Sequence, residues 1–251
     1  MNPLLKDVKY AAERVETRAE ALGDRTLLMP YVADVSSQSF AIKEALAHFR
    51  PGLRVLDLGC GTASTYDVFR QHGCEWTGAD IADSAESIAR SRSDCHVVLF
   101  DGVTLPFPDN SFDLIYCRQV FEHVRHPEAL LREASRVLVP GGLLIGSTSH
   151  LEPFHSRSYW NFTPYGFAVL LKDAGFANVT VKPGIDGLTL ILRRLAAKLK
   201  LSFLFSRFFE HESPVNVAIE VAGKLARISP RSRAFFKLAI CGHFVFISST
   251  E

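Results

Sequence analysis

Val55-Leu56-Asp57-Leu58-Gly59-Cys60-Gly61-Thr62-Ala63 is an apolar run that ends in a pair of glycines. Residues 53–58 have the length and composition of a buried parallel strand. The glycines mark a turn at its carboxyl end, where the backbone must bend sharply and come close to a ligand with no Cβ in the way. Ahead of the run, Pro51-Gly52 breaks the chain. Behind it, residues 65–72 read as helix, 75–79 as strand, 84–92 as helix, and 95–100 and 112–117 as strands. A helix from about 127 to 138 and a strand at 143–147 follow. Short apolar strands separated by helices specify a mostly parallel sheet covered on both faces, a doubly wound α/β domain.

Pro140-Gly141-Gly142 reads as the turn that stops the helix and starts the fifth strand. Thr163 caps a helix to Ala174, Gly175 closes it, and residues 176–181 suit a sixth strand. The alternation then stops until His243-Phe244-Val245-Phe246-Ile247-Ser248, another β-like run. At the other end, residues 4–22 and 36–49 read as helices, the second with Ser36 or Ser37 as N-cap. The expected organisation is a helical cap over 1–50, the core over 51–183, a helical insertion over 184–242 and a last core strand over 243–251.

The chain has 251 residues, 47% hydrophobic and 22% charged, enough for one substantial core, and a formal charge of +1. That balance carries no footprint for nucleic acid, so no nucleic-acid partner is expected. Five cysteines, Cys60, Cys74, Cys95, Cys117 and Cys241, are odd in number and form no C-x-x-C pair, which fits reduced thiols. Residues 1–10 lack the apolar region of a secretory signal, and the most apolar later stretch, 188–209, is broken by Arg193, Arg194, Lys198, Lys200 and Arg207. A cytoplasmic protein without a transmembrane segment is expected.

Two further carboxylates stand where strands end. Asp80 lies about twenty residues beyond the glycines, where it can accept from both ribose hydroxyls of an adenosine. Asp101-Gly102 follows the third strand, where an acidic side chain can accept from the exocyclic amine of adenine while a neighbouring N–H meets a ring nitrogen.

Residues 55–147 resemble the class I S-adenosylmethionine-dependent methyltransferases, in particular the ubiquinone-type and other small-molecule group. The resemblance rests on Leu56-Asp57-Leu58-Gly59-Cys60-Gly61-Thr62, Gly78-Ala79-Asp80-Ile81 and Leu105-Pro106-Phe107-Pro108-Asp109-Asn110-Ser111-Phe112-Asp113. Glu122-His123-Val124 and Arg136-Val137-Leu138-Val139-Pro140-Gly141-Gly142 complete it. It implies a Rossmann-like, seven-stranded sheet whose last strand is antiparallel, and S-adenosylmethionine as cofactor. It also implies that Gly59, Cys60 and Gly61 line the methionine portion and that Asp57 holds its ammonium group. Asp80 and Ile81 would take the ribose, and Asp101, Gly102 and Val103 the adenine. Arg118 and Gln119 would border the methionine carboxylate or the methyl. Ala63 stands where glycine is commoner, which narrows the turn.

Competing readings remain. An NAD fingerprint needs a third glycine where Ser64 stands, so an oxidoreductase is the minor reading. A non-catalytic binding protein on the same scaffold is another. His123 and His126, one helical turn apart, invite a metal reading, but two histidines are not a ligand set, and no metal is expected. Methyl transfer to a hydroxyl calls for a general base, and His123 and His150 follow strands four and five, so O-methylation with either as base is expected. N- and C-methylation are the alternatives. His155, Tyr159 and Trp160, in a cluster with Phe162 and Tyr165, are candidate acceptor contacts, either as core packing or as a wall for a small-molecule, glycan or lipid-linked acceptor. Residues 184–242 carry ten basic against four acidic side chains, +6 in all. Leu188, Ile191, Leu192, Leu195 and Leu199 recur at helical spacing, with Arg194, Lys198 and Lys200 off that stripe. This is either a helix packed on the domain or a cover for the acceptor pocket that meets an anionic membrane surface.

Overall fold

The computed structural model describes residues 27–200 and 212–251. The expected helix over 4–22 lies outside the described residues, as do Phe203, Phe205 and Arg207. Seven strands form one sheet in the order β3-β2-β1-β4-β5-β7-β6. They are β1 (Arg54–Leu58), β2 (Glu75–Ile81), β3 (Val97–Phe100), β4 (Phe112–Arg118), β5 (Leu138–Ser149), β6 (Phe176–Pro183) and β7 (His243–Thr250). The first five run parallel, and β7 runs antiparallel to both β5 and β6. The fold is the doubly wound, Rossmann-like sheet with an antiparallel last strand, and it brings the carboxyl ends of β1 to β5 to one edge.

Helices cover both faces. On one side α1 (Ala41–Leu46) and α2 (Tyr66–Gln71) enclose a core of Leu53, Val55, Phe69, Trp76, Leu114 and Tyr116. On the other, α4 (Pro127–Val137) and α5 (Pro164–Asp173) bury Leu130, Leu131, Phe167 and Leu171 against Phe121, Phe244 and Phe246. Arg136 of α4 explains the Leu105-to-Asp113 motif. Its guanidinium donates to Leu105 O (3.0 Å), Phe107 O (2.9 Å) and Asp109 Oδ1 (2.7 Å), fastening that loop under the sheet.

Several elements differ from expectation. The helix expected over 36–49 is the six-residue α1, which follows Phe40 with no side-chain cap, so neither Ser36 nor Ser37 caps it. Ser36 O instead receives Lys237 Nζ at 2.8 Å, a long-range bond that holds the preceding chain off the helical path. The helix expected over 84–92 is one turn, α3 (Ala85–Ile88), capped by Ser84. Pro140-Gly141-Gly142 does not precede β5 but lies within it, as an irregularity in its pairing with β4 where Gly141 takes φ 73°.

Between β6 and β7 stand α6 (Gly187–Lys198), α7 (Pro214–Leu225) and α8 (Pro230–Ala239). On α6 the packed face is Gly187, Thr189, Leu190 and Ala196. The apolar stripe faces outward instead: Leu188, Ile191, Leu192, Leu195 and Leu199 are all exposed. Asp186 dictates this orientation. It is buried, caps α6 by accepting from Thr189 N (2.8 Å), and bridges to Cys241 beside β7.

Candidate active site

The glycine turn leaves β1 in left-handed conformations, with φ 71° at Gly59, 52° at Gly61 and 57° at Ala63. A Cβ on Gly59 would lie 2.2 Å from Val120 Cγ2, so the turn also needs glycine to pack against the loop after β4. Ala63 fills a position that favours glycine and costs strain, which is the structural meaning of its departure from the usual motif. Gly59 N and Cys60 N both donate to Ala79 O, and Arg90 Nη1 donates to Gly61 O at 2.9 Å. Cys60 is buried, and burial pushes its thiol up to about 12, so it is no nucleophile.

Asp80 clamps this turn from β2. Its Oδ2 accepts from Gly61 N (2.6 Å), and its Oδ1 from Ile81 N (2.7 Å) and Ser84 Oγ (3.3 Å). Asp57 is buried on β1 and accepts from Thr65 Oγ1 and from Trp76 Nε1 (3.2 Å), both through Oδ2. Burial pushes its carboxyl up to about 6, against those two hydrogen bonds and the charge of Arg118. Asp101 turns back on its own loop, where Oδ1 accepts from Val103 N (2.8 Å) and Thr104 N (2.6 Å). These bonds, that of Thr104 first, hold its carboxyl below the usual range, and they commit the Val103 amide. A Cβ on Gly102 would meet Ile81 Cγ2 at 3.4 Å, so Ile81 and Gly102 are neighbours across the β2 and β3 ends. Arg118 is exposed at the end of β4. Gln119 (φ 55°) turns inward, its amide oriented so that nitrogen donates to Glu122 Oε1 (3.0 Å) and oxygen accepts from Ser147 Oγ (3.1 Å).

The histidines gather on the same edge. The loop after β5 folds back on the turn after β4: Tyr159 N and Trp160 N donate to Glu122 O at 2.7 and 3.2 Å, and Trp160 Nε1 to Val124 O at 2.8 Å. His155 is thereby set against His123, ring centroids 5.1 Å apart and edge to face. Tyr159 and Trp160 remain exposed, while Phe162 is buried against Phe167. Burial lowers the His123 pKa, helped by His155, and burial lowers that of His150. His126 sits apart at the start of α4, 3.8 Å from Glu128. Farther along this loop Arg157 Nη1 meets Asp83 Oδ2 at 2.5 Å, tying it across the edge to the end of β2.

Two buried carboxylates lie beneath, Glu122 of the Glu122-His123-Val124 motif and Glu152. Glu122 is fully buried, accepts from Thr148 Oγ1 (2.9 Å) and Ser149 Oγ (3.3 Å), and is pushed up by burial to about 7. Glu152 accepts from Ser149 Oγ, Arg194 Nη2 and His243 Nε2 (2.7 Å). Burial opposes its ionisation, but the His243 bond and charge and the other two donors hold it well below the usual carboxylate range. Glu122 beside His123 was visible as a pair; its burial was not, because Thr148 and Ser149 come from another strand.

A glycine turn gripped by one strand-end carboxylate, with a second carboxylate behind it, stands at the carboxyl edge of this Rossmann-like sheet. Residues 56–146 match the family described as Methyltransferase domain. The chain thus carries a class I, S-adenosylmethionine-dependent methyltransferase domain. It is 36% identical over 120 residues to "Probable tRNA methyltransferase 9B" of Bos taurus, covering 46% of this chain and 26% of that protein. It is 34% identical over 133 residues to the ubiquinone biosynthesis O-methyltransferase of Xanthomonas campestris pv. campestris, 50% of this chain and 51% of that one. The chain thus spans between about a quarter and a half of the length of these curated relatives. A SAM-dependent methyltransferase from Archaeoglobus fulgidus shares the fold, with a TM-score of 0.56, 15% identity and coverage of 83% of this chain and 91% of that one. No helix among the described residues is long and apolar enough to cross a membrane.

Proposed function

We propose that the protein methylates a hydroxyl oxygen of a small-molecule, glycan or lipid-linked acceptor. The donor set fits S-adenosylmethionine. A carboxylate has about four acceptor directions, and Asp80 spends three on protein donors, of which the Ser84 bond at 3.3 Å is the longest. Ribose hydroxyls would take the remaining direction and displace Ser84. Asp57 keeps Oδ1 without a partner among the described residues, an acceptor for an ammonium group. Ile81 and Gly102 would flank the adenosine, and Arg118 lies at the strand end suited to a carboxylate. When bound, the sulfonium supplies an electrophilic methyl: the acceptor oxygen forms the O–C bond as the C–S bond breaks and its electron pair stays on sulfur.

The observation that carries the choice of oxygen is the pair of histidines whose pKa burial lowers, His123 and His150, on the loops that follow β4 and β5. Both are uncharged at neutral pH, so either can receive the hydroxyl proton as the oxygen attacks. The loop carrying His155, Tyr159 and Trp160 would place the acceptor and exclude water. The test is S-adenosylhomocysteine release with matched acceptors that differ only by a hydroxyl, read by mass spectrometry. Turnover with the hydroxyl compound and none with its deoxy analogue is expected; turnover on amines or carbon alone would overturn the reading. A rise in Tm with NADH and none with S-adenosylhomocysteine would overturn the cofactor.

The outward leucines of α6 favour a second statement about the acceptor. With Val217, Val221 and Leu225 exposed on α7, and Lys198, Lys200 and Arg227 on the same insertion, they give that insertion an exterior whose composition suits an anionic membrane, from which a lipid-linked acceptor would be drawn.

A further inference from the structure

Glu122, His123 and His155 each offer one ligand atom, and these atoms lie within 4.8 Å of one another. We propose that they form a three-ligand site for a divalent first-row transition ion, zinc above all, where the loops after β4 and β5 meet. The site stands on geometry alone; its role rests on the hydroxyl reading above.

Three features distinguish it from a chance grouping. The ligands come from two segments held together by their own backbones, since Tyr159 N and Trp160 N are bonded to the Glu122 carbonyl. Two of the three ligands, Glu122 and His155, also have an outer partner of the kind that fixes a metal-binding side chain. Thr148 Oγ1 donates to Glu122 Oε2, and the Gln119 amide nitrogen to Glu122 Oε1. His155 Nδ1 faces Pro153 O at 3.3 Å and Glu152 Oε1 at 3.6 Å, which makes it the protonated nitrogen and leaves the lone pair on Nε2. Finally, two imidazoles and one carboxylate with no thiolate suit zinc, manganese, iron(II) or cobalt(II). Three protein ligands leave a position open, as sites that act on a substrate do.

Around a tetrahedral ion with bonds of about 2.0–2.1 Å the ligand atoms stand about 3.4 Å apart. The three atoms lie within 4.8 Å of one another, so binding an ion requires the two imidazoles to draw in toward the Glu122 carboxylate. With an ion bound, His123 would serve as ligand, the open position would take the acceptor hydroxyl oxygen and ease loss of its proton, and His150 would be left as the base of the proposed pair.

The protein, stripped with chelator, is titrated with Co2+ followed by visible absorption and with Zn2+ by calorimetry. One ion per chain is expected. Glu122→Gln and His155→Ala should each weaken it at least about 10–100-fold, the loss typical of disturbing even an outer partner, and His126→Ala should bind like the parent. Thr148→Val, which keeps all three ligands, should weaken it about tenfold. Folding of every variant is checked by thermal melting, and S-adenosylhomocysteine binding by calorimetry. Normal S-adenosylhomocysteine binding with no saturable metal uptake, or with uptake unchanged in E122Q and H155A, would overturn the site and leave the methyltransferase reading standing. Stoichiometric metal uptake lost in those two variants, in a protein that binds no S-adenosylhomocysteine, would support the site and sink that reading.

Discussion

Asp57 and Asp80 are neighbours at the carboxyl edge with opposite circumstances. Asp80 accepts from three donors, so Asp80→Ala removes the grip on Gly61 together with the proposed ribose acceptor. Charge-assisted bonds of this kind contribute about 1.5–3 kcal/mol. Calorimetry should therefore show S-adenosylhomocysteine binding weakened by roughly one to two decades. Asp57 is held up at about 6 by burial, so folding favours its protonated form. Its contribution to stability is complete below the ordinary carboxylate range near 3.8 and is lost as pH rises through about 6. Asp57→Asn keeps an oxygen for Thr65 and Trp76 and carries no charge at any pH. The variant should be more stable than the parent above pH 6, by up to about 3 kcal/mol, and should bind S-adenosylmethionine less tightly. Urea titrations from pH 4 to 8 check this, and parallel profiles for the two proteins would place the titration elsewhere.

The insertion is anchored by charge at the level of helices. Lys237 of α8 is fully buried and donates to Ser36 O (2.8 Å) and Glu220 Oε2 of α7 (3.0 Å), with Glu212 at 3.5 Å. Arg233, one turn earlier, meets Glu220 Oε1 at 3.1 Å. Both cations are spent inside the protein rather than on a partner. Lys237→Ala leaves Glu220 short of a cation in a place shielded from water, and a broken buried pair costs about 3–5 kcal/mol. Equilibrium unfolding should show a loss of that size, and Lys237→Ala/Glu220→Gln should recover part of it. A strictly additive double variant would mean that the two side chains are not coupled. The Arg194 bond to Glu152 fastens α6 in the same way to the loop after β5.

For the molecule as a whole, the near-neutral total conceals polarity: the segment 184–242 carries +6 and the remainder −5. Apolar side chains on the outside of α6 and α7 lie on the positive portion. A surface of that composition binds anionic lipid through charge and apolar insertion together, and salt screens the first of these. Sedimentation with vesicles rich in phosphatidylserine should carry the protein down at low salt and less of it at moderate salt, with little on neutral vesicles. Leu192→Glu/Leu195→Glu should abolish it. Equal absence from both pellets would remove the membrane contact while leaving the edge of the sheet untouched.

The sheet was readable because local chemistry and global position coincide there. Apolar runs of strand length, Gly59 and Gly61 where φ is positive, and Asp57 and Asp80 at strand ends are all determined by neighbours in sequence. Helix 36–49 was misread for the opposite reason. Its shortening depends on Lys237, two hundred residues away, taking the Ser36 carbonyl. The outward face of α6 is likewise decided by buried Asp186 at its cap and not by the leucine spacing, which by itself describes a packed helix. The same holds for the candidate site: His123 and His150 were legible as strand-end residues, whereas Glu122 became a buried carboxylate only when Thr148 and Ser149 arrived from β5. The sequence by itself determined the sheet, its glycine turn and its strand-end carboxylates, through short-range propensity. Only the tertiary structure decided which histidines meet and which face is left bare, because those outcomes are settled by long-range bonds that no local pattern encodes.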